Sequence, residues 1–209
     1  MKKKEKKELD VVFILDKSGS MSGSEDATIS SYNEYLEREK KNSYEANITT
    51  ILFCDSISYL YENIPVAKVK KLTHREYVVG GCTALYDALG NSILRFENSH
   101  SKKVLFISIT DGYENASREF SKDKIRNLIH KHSEWEFVYV GADIDSYAAG
   151  SEIGICDDNI ANFKKDRKGL SKLFRAFGDF ECAMMEDSEP LSKAHWKEDL
   201  EEYLETNQN

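Results

Sequence analysis

Four stretches of this chain are apolar almost without interruption: residues 9–15 (LDVVFIL), 47–54 (NITTILFC), 103–110 (KVLFISIT) and 135–140 (WEFVYV). A strand that meets water on one face alternates apolar and polar residues, so an unbroken run marks a strand covered on both faces. Between the runs lie segments with helical spacing: Ile29, Tyr32, Tyr35 and Leu36, then Leu85, Leu89, Ile93 and Phe96, then Ile125, Leu128 and Ile129. Strands alternating with amphipathic helices predict an α/β fold, a doubly wound and mostly parallel sheet with helices on both faces. Segment 57–66 (ISYLYENIPV) is short, lies close behind its predecessor and contains Pro65, which places it at a sheet edge. The weaker run from Asn159 to Phe163 predicts a last strand. A helix follows it, with Leu170, Leu173, Phe174, Phe177 and Phe180 on one core-facing side. At 209 residues and 40% hydrophobic content, the natural count is one domain with a substantial core.

The first apolar strand ends on an acid, in VVFILDKSGSMS (11–22). Asp16, Ser18 and Ser20 offer three oxygens within five residues, the donor type that a hard divalent cation such as Mg2+ takes. Gly19 is expected to supply a positive-φ turn that aims both serines at one point. Taken alone, the same residues describe an ordinary turn or a helix N-cap. Two later segments add to them. Thr83 follows a glycine pair in YVVGGCTALYDALG, and in KKVLFISITDGYENAS a second long strand ends on Asp111 and Gly112.

An Asp-x-Ser-x-Ser, a later Thr and a strand-terminal Thr-Asp-Gly, in that order, resemble the metal-ion-dependent adhesion site of the von Willebrand factor A domain family. The resemblance covers residues 8–185, and all five positions match. It implies a VWA or Rossmann-like fold with an antiparallel edge strand. It also implies that Ser18, Ser20 and Thr83 touch the metal while Asp16 and Asp111 act largely through water. The string TDGYENASREF looks like small free-standing bacterial and phage members of the family. In doubly wound sheets, ligands bind beyond the carboxyl ends of strands where strand order reverses, so adjacency of the first strand and the strand ending at Asp111 would bring the three segments together.

Hydroxyl ligands are neutral, so a cation held by them stays electrophilic. The expected function is therefore an intracellular, divalent-metal-dependent protein interaction module, with a partner's Glu or Asp completing the coordination shell. Mg2+ is the expected ion, with Mn2+ or Ca2+ as alternatives, and no catalysis is expected. Two other readings stand beside it. One is a Mg-dependent, phosphate-handling hydrolase of haloacid dehalogenase-like type, with a strand-terminal aspartate as nucleophile; here Ser18 occupies the position of that pattern's second acid. The other keeps the fold and makes the metal structural. No phosphate-binding Gly-x-x-x-x-Gly-Lys-Ser/Thr loop, His-Glu-x-x-His or Gly-x-Ser-x-Gly elbow occurs.

The net charge of −8 argues against general nucleic-acid binding. Residues 1–8 read as a basic, solvated tail without the apolar stretch of a secretory signal, and no run approaches a membrane span, so a cytoplasmic protein is expected. Cys54, Cys82, Cys156 and Cys182 form no Cys-x-x-Cys pair; Cys54 and Cys182 read as buried thiols. On the same grounds the sequons at Asn47 and Asn115 are incidental. The five histidines read as surface residues. Tyr113, Glu114, Asn115 and Asp143 are expected on the rim of the site, with Asn115 and Ser117 as turn caps, and Asp87 is expected to favour the positive end of its own helix. The domain proper is expected over 9–187. Within the acidic tail, 188–209, Trp196, Leu200, Tyr203 and Leu204 have the spacing of a short packing helix.

Overall fold

A computed structural model of the chain describes residues 8–42, 44–97, 103–186 and 195–207. Six strands form one sheet in the order β3-β2-β1-β4-β5-β6. They are β1 (Glu8–Asp16), β2 (Glu45–Phe53), β3 (Ile57–Pro65), β4 (Val104–Thr110), β5 (Glu136–Gly141) and β6 (Ile160–Asn162). All neighbours run parallel except β2 and β3, so the segment containing Pro65 is an antiparallel edge strand as expected.

The unbroken apolar runs follow from a two-sided core. Along β1, Leu9, Val11, Phe13 and Leu15 face one hydrophobic cluster, while Val12 and Ile14 face the other. The first cluster is closed by α1 (Glu25–Glu39) and α5 (Arg167–Met185), the second by α2 (Leu85–Phe96) and α3 (Lys122–Lys131). Phe13 sits at the centre of the first, with the rings of Tyr35, Tyr32, Phe174 and Phe177 at 5.0 to 6.1 Å between centroids. Burying one such side chain contributes about 1.5–3 kcal/mol, and offset aromatic pairs add to it.

A short helix α4 (Ser146–Glu152), which the apolar spacing did not announce, lies between β5 and β6. The C-terminal segment joins the first cluster. Trp196 packs edge-on against Phe180 at 5.6 Å and Leu200 of α6 (Glu198–Thr206) is fully buried. Of the two expected tails, residues 1–7, 188–194 and 208–209 lie outside the described residues.

Candidate metal centre

Chain order reverses between β1 and β4, which are hydrogen-bonded neighbours in register from Asp10 beside Val104 to Leu15 beside Ile109. Their last residues therefore end side by side, and the loops that follow diverge to leave a crevice. Asp16 closes β1 with a fully buried carboxylate. Its Oδ1 accepts a hydrogen bond from the Ser18 amide at 2.6 Å and its Oδ2 one from the Thr110 hydroxyl at 2.6 Å. Burial pushes the Asp16 carboxyl above the usual range, and these two donors pull it back. The Tyr77 hydroxyl donates to the Asp16 carbonyl at 2.5 Å and clamps the strand end from the loop that follows β3.

The serines come next. Ser18 Oγ lies 3.0 Å from Ser20 Oγ, and the Ser20 hydroxyl donates to Asp111 Oδ1 at 2.5 Å. A hydroxyl has one proton, so Ser18 is the donor between the two serines. Contrary to expectation, Gly19 does not use positive φ. It opens a one-turn 3-10 helix, Gly19–Met21, and the positive-φ glycines of this region are Gly23 and Gly81.

Thr83 reaches the same point through the backbone. Gly19 N–H donates to the Gly81 carbonyl at 3.0 Å and Gly80 N–H to the Lys17 carbonyl at 2.9 Å, which zips the Thr83 loop to the serine loop. Asn115 accepts from Thr83 N–H at 3.0 Å, and the Thr83 carbonyl accepts from the amides of Asn115 and Ala116. A Cβ on Gly112 would lie 3.0 Å from Thr83 Oγ1 and 3.3 Å from Ser20 Oγ, so both hydroxyls crowd one spot that only glycine leaves open. Ser18, Thr83 and Asp111 are buried, whereas Ser20 is exposed.

This donor set fits a small hard cation. Adjacent ligands of an octahedral Mg2+ at ~2.1 Å are about 3.0 Å apart, and the two serine oxygens are separated by 3.0 Å. Among the described residues, no three His, Cys, Asp or Glu side chains are grouped to hold a metal, so the available ligands are hydroxyl oxygens with carboxylates behind them.

Comparison with solved structures decides the fold. Proximal thread matrix protein 1 from the mussel byssus superposes with a TM-score of 0.60 at 18% identity, covering 81% of this chain and 44% of that one. The ArnB paralog VWA2 from Sulfolobus acidocaldarius does so with 0.57 at 17% identity, over 80% of this chain and 44% of its own. A von Willebrand factor type A structure from Catenulispora acidiphila gives 0.57 at 14% identity, over 82% and 42%. The chain has the von Willebrand factor A fold. It spans less than half the length of these three proteins. A second structure of the byssus protein, with a TM-score of 0.59 at 18% identity over 79% of this chain and 43% of that one, has zinc in its MIDAS motif. No family model and no curated protein matches the chain by sequence.

Within this VWA fold, the loop after Asp111 divides its residues between rim and scaffold. Tyr113 is exposed, and its hydroxyl accepts from the Asp145 amide at 3.0 Å. Glu114 turns inward, accepting from the amides of Tyr86, Ala116 and Ser117. Ser117 caps α2 by accepting from Asp87 N–H at 3.0 Å. Asp87 lies in the first turn of α2 as expected, and its carboxylate also accepts from the amides of Arg118, Glu119 and Phe120 and holds that loop down.

One charged residue at the centre carries no sequence signal. Lys165, in the loop between β6 and α5, places Nζ 2.8 Å from Asp111 Oδ2 and 2.9 Å from Asp143 Oδ2. It belongs to a run of lysines with no motif, and its partners are tens of residues away in the chain. The expected rim residue Asp143 sits at φ 57°, a left-handed conformation that aspartate tolerates. Other expectations change too. Cys182 is exposed and Cys54 only half-buried, and His132 is buried, stacked on Trp135 at 4.0 Å between ring centres. Among the described residues, no helix is long and apolar enough to cross a membrane.

Proposed function

We propose that this chain is a divalent-cation-dependent protein-binding module. Ser18, Ser20 and Thr83 would hold the cation, most naturally Mg2+, and Asp16 and Asp111 would orient its water ligands. A bound cation supplies an electrophilic position that takes a Glu or Asp side chain from a partner protein. The observation that carries the reading is the arrangement of charge: the neutral hydroxyls of Ser18, Ser20 and Thr83 converge on one spot, with the Asp16 and Asp111 carboxylates buried beside them. Neutral ligands leave the cation's charge largely unspent, so an incoming carboxylate completes the shell in a low-dielectric recess. Oxygen-only donors favour Mg2+ over zinc, which prefers nitrogen and sulfur. The zinc in the byssus protein's motif supports cation binding by this type of fold.

Exposed Val78 and Tyr113, on the loops that frame the crevice, offer apolar contacts to a partner around the charged anchor. Asp16 is fully buried with both oxygens engaged, which favours binding over a hydrolase that would use it as a nucleophile. Four free thiols support a reducing, intracellular setting. The test is capture of proteins on immobilised chain in Mg2+ and in EDTA, with Asp111→Ala as control. Proteins retained only by the wild type with metal support the reading, and retention indifferent to both changes overturns it.

A further inference from the structure

The Asp111 carboxylate has two claimants. Its side chain is wholly buried, with Oδ1 taking the Ser20 hydroxyl and Oδ2 taking the Lys165 ammonium at 2.8 Å. The lysine side chain remains 28% exposed and reaches inward from the rim, with Nζ also 3.4 Å from the Ser20 carbonyl. The ammonium therefore touches both residues that link the serine loop to β4, on the side from which an electrophile would be served. A divalent ion beside Ser20 needs the negative charge of Asp111, and two cations within a few ångströms of one buried carboxylate repel strongly when screening is poor.

We infer that Lys165 is a tethered cation that competes with the metal for Asp111 and sets the affinity of the site. This rests on the metal-centre reading above. Asp143 already shares the ammonium and can keep it when Asp111 is released: its carboxylate is 71% exposed and lies 2.9 Å from the same Nζ. Metal entry then shifts the lysine's contact from the buried acid to the exposed one, a short side-chain movement that needs no backbone change. A site with four carboxylate ligands has no need of such a device. A site built from hydroxyls with two acids behind them is sensitive to one competing charge.

The test is Mn2+ titration, followed by calorimetry and by the paramagnetic signal of free Mn2+, on the full chain as wild type, Lys165→Met and Lys165→Arg. Lys165→Met keeps the length of the side chain without its charge, and Lys165→Arg keeps the charge. The expected result is affinity about 10-fold tighter or more in Lys165→Met, near wild type in Lys165→Arg, and a larger metal-induced rise in Tm for Lys165→Met. Wild-type binding with unchanged or weaker affinity in Lys165→Met overturns the competition and leaves the metal centre standing. Absence of Mn2+ binding in every form overturns both.

Discussion

Two regions of the molecule that bury a pair of acids treat them differently. At the crevice, Asp16 accepts from the Ser18 amide and the Thr110 hydroxyl, while Asp111 is tied to the exposed Ser20 hydroxyl and to the Lys165 ammonium. In the seam between α1 and α5, Glu39 and Glu181 are sealed inside. Tyr35 donates to Glu181 Oε1 at 2.7 Å, and the Tyr44 hydroxyl lies 2.8 Å from Glu39 and 3.3 Å from Glu181. The nearest cation there, Arg38, is 3.6 Å from Glu39 and spends its other nitrogen on the carbonyls of Phe174 and Arg175. Burial first, and then the Glu39 charge, pushes Glu181 well above the usual carboxyl range. The crevice acids lie beside a cation, whereas Glu181 in the seam is matched to a proton. Burial by itself does not decide what an acid does; the nearest donor or charge does.

The largest expected effect separates the two regions by metal. Saturating Mn2+, at about 100 times its dissociation constant, should stabilise the wild type by about 2.7 kcal/mol in urea unfolding. The Ser18→Ala, Ser20→Ala double variant should show no such gain. A gain that survives the double variant would move the cation away from the crevice. Next, Asp111→Ala should weaken Mn2+ affinity about 10- to 100-fold, as is usual when a group that orients metal ligands is lost. Calorimetric titration reads this directly, and Glu181→Gln should leave that affinity unaltered.

The proton side is tested by pH. A carboxyl whose pKa is raised on folding binds more protons in the native state. Its stabilisation is full below the unfolded value, about 4.3, and is lost as pH rises toward the folded one. Wild-type stability should therefore fall with rising pH above the ordinary carboxyl range, by no more than about 1.4 kcal/mol per pH unit for this group. Glu181→Gln should flatten the profile, while Asp16, shifted the same way by burial, keeps a residual slope. An unchanged profile in Glu181→Gln would remove the proton from the seam. The smallest effect is that of Tyr44→Phe, which deletes one hydroxyl from the seam. It should cost about 1 kcal/mol and leave metal affinity as it was.

Much of this was legible in the chain. The unbroken apolar runs announced a two-sided sheet because every residue of β1 after Glu8 is buried. The edge position of β3 was legible from Pro65. The five oxygen-bearing residues were legible because each sits where a strand ends or a helix begins, and topology carries strand ends to one edge. Helix α4 was missed because seven residues carry too little apolar periodicity to register. Cys182 and His132 were misjudged because exposure on a helix, or under a neighbouring tryptophan, depends on what packs there.

The sequence by itself determined the layered α/β fold, the strand-end placement of Asp16 and Asp111, and the oxygen-bearing residue types that gather at that sheet edge. Those depend on local periodicity and on residues close together in the chain. Only the tertiary structure decided that Lys165 reaches Asp111 across 54 residues, that Tyr77 clamps the end of β1 across 61, and that Glu181 meets Tyr35 across 146. Such contacts leave no local pattern, because a long polar side chain finds its partner only after the sheet and helices have fixed which loops are neighbours.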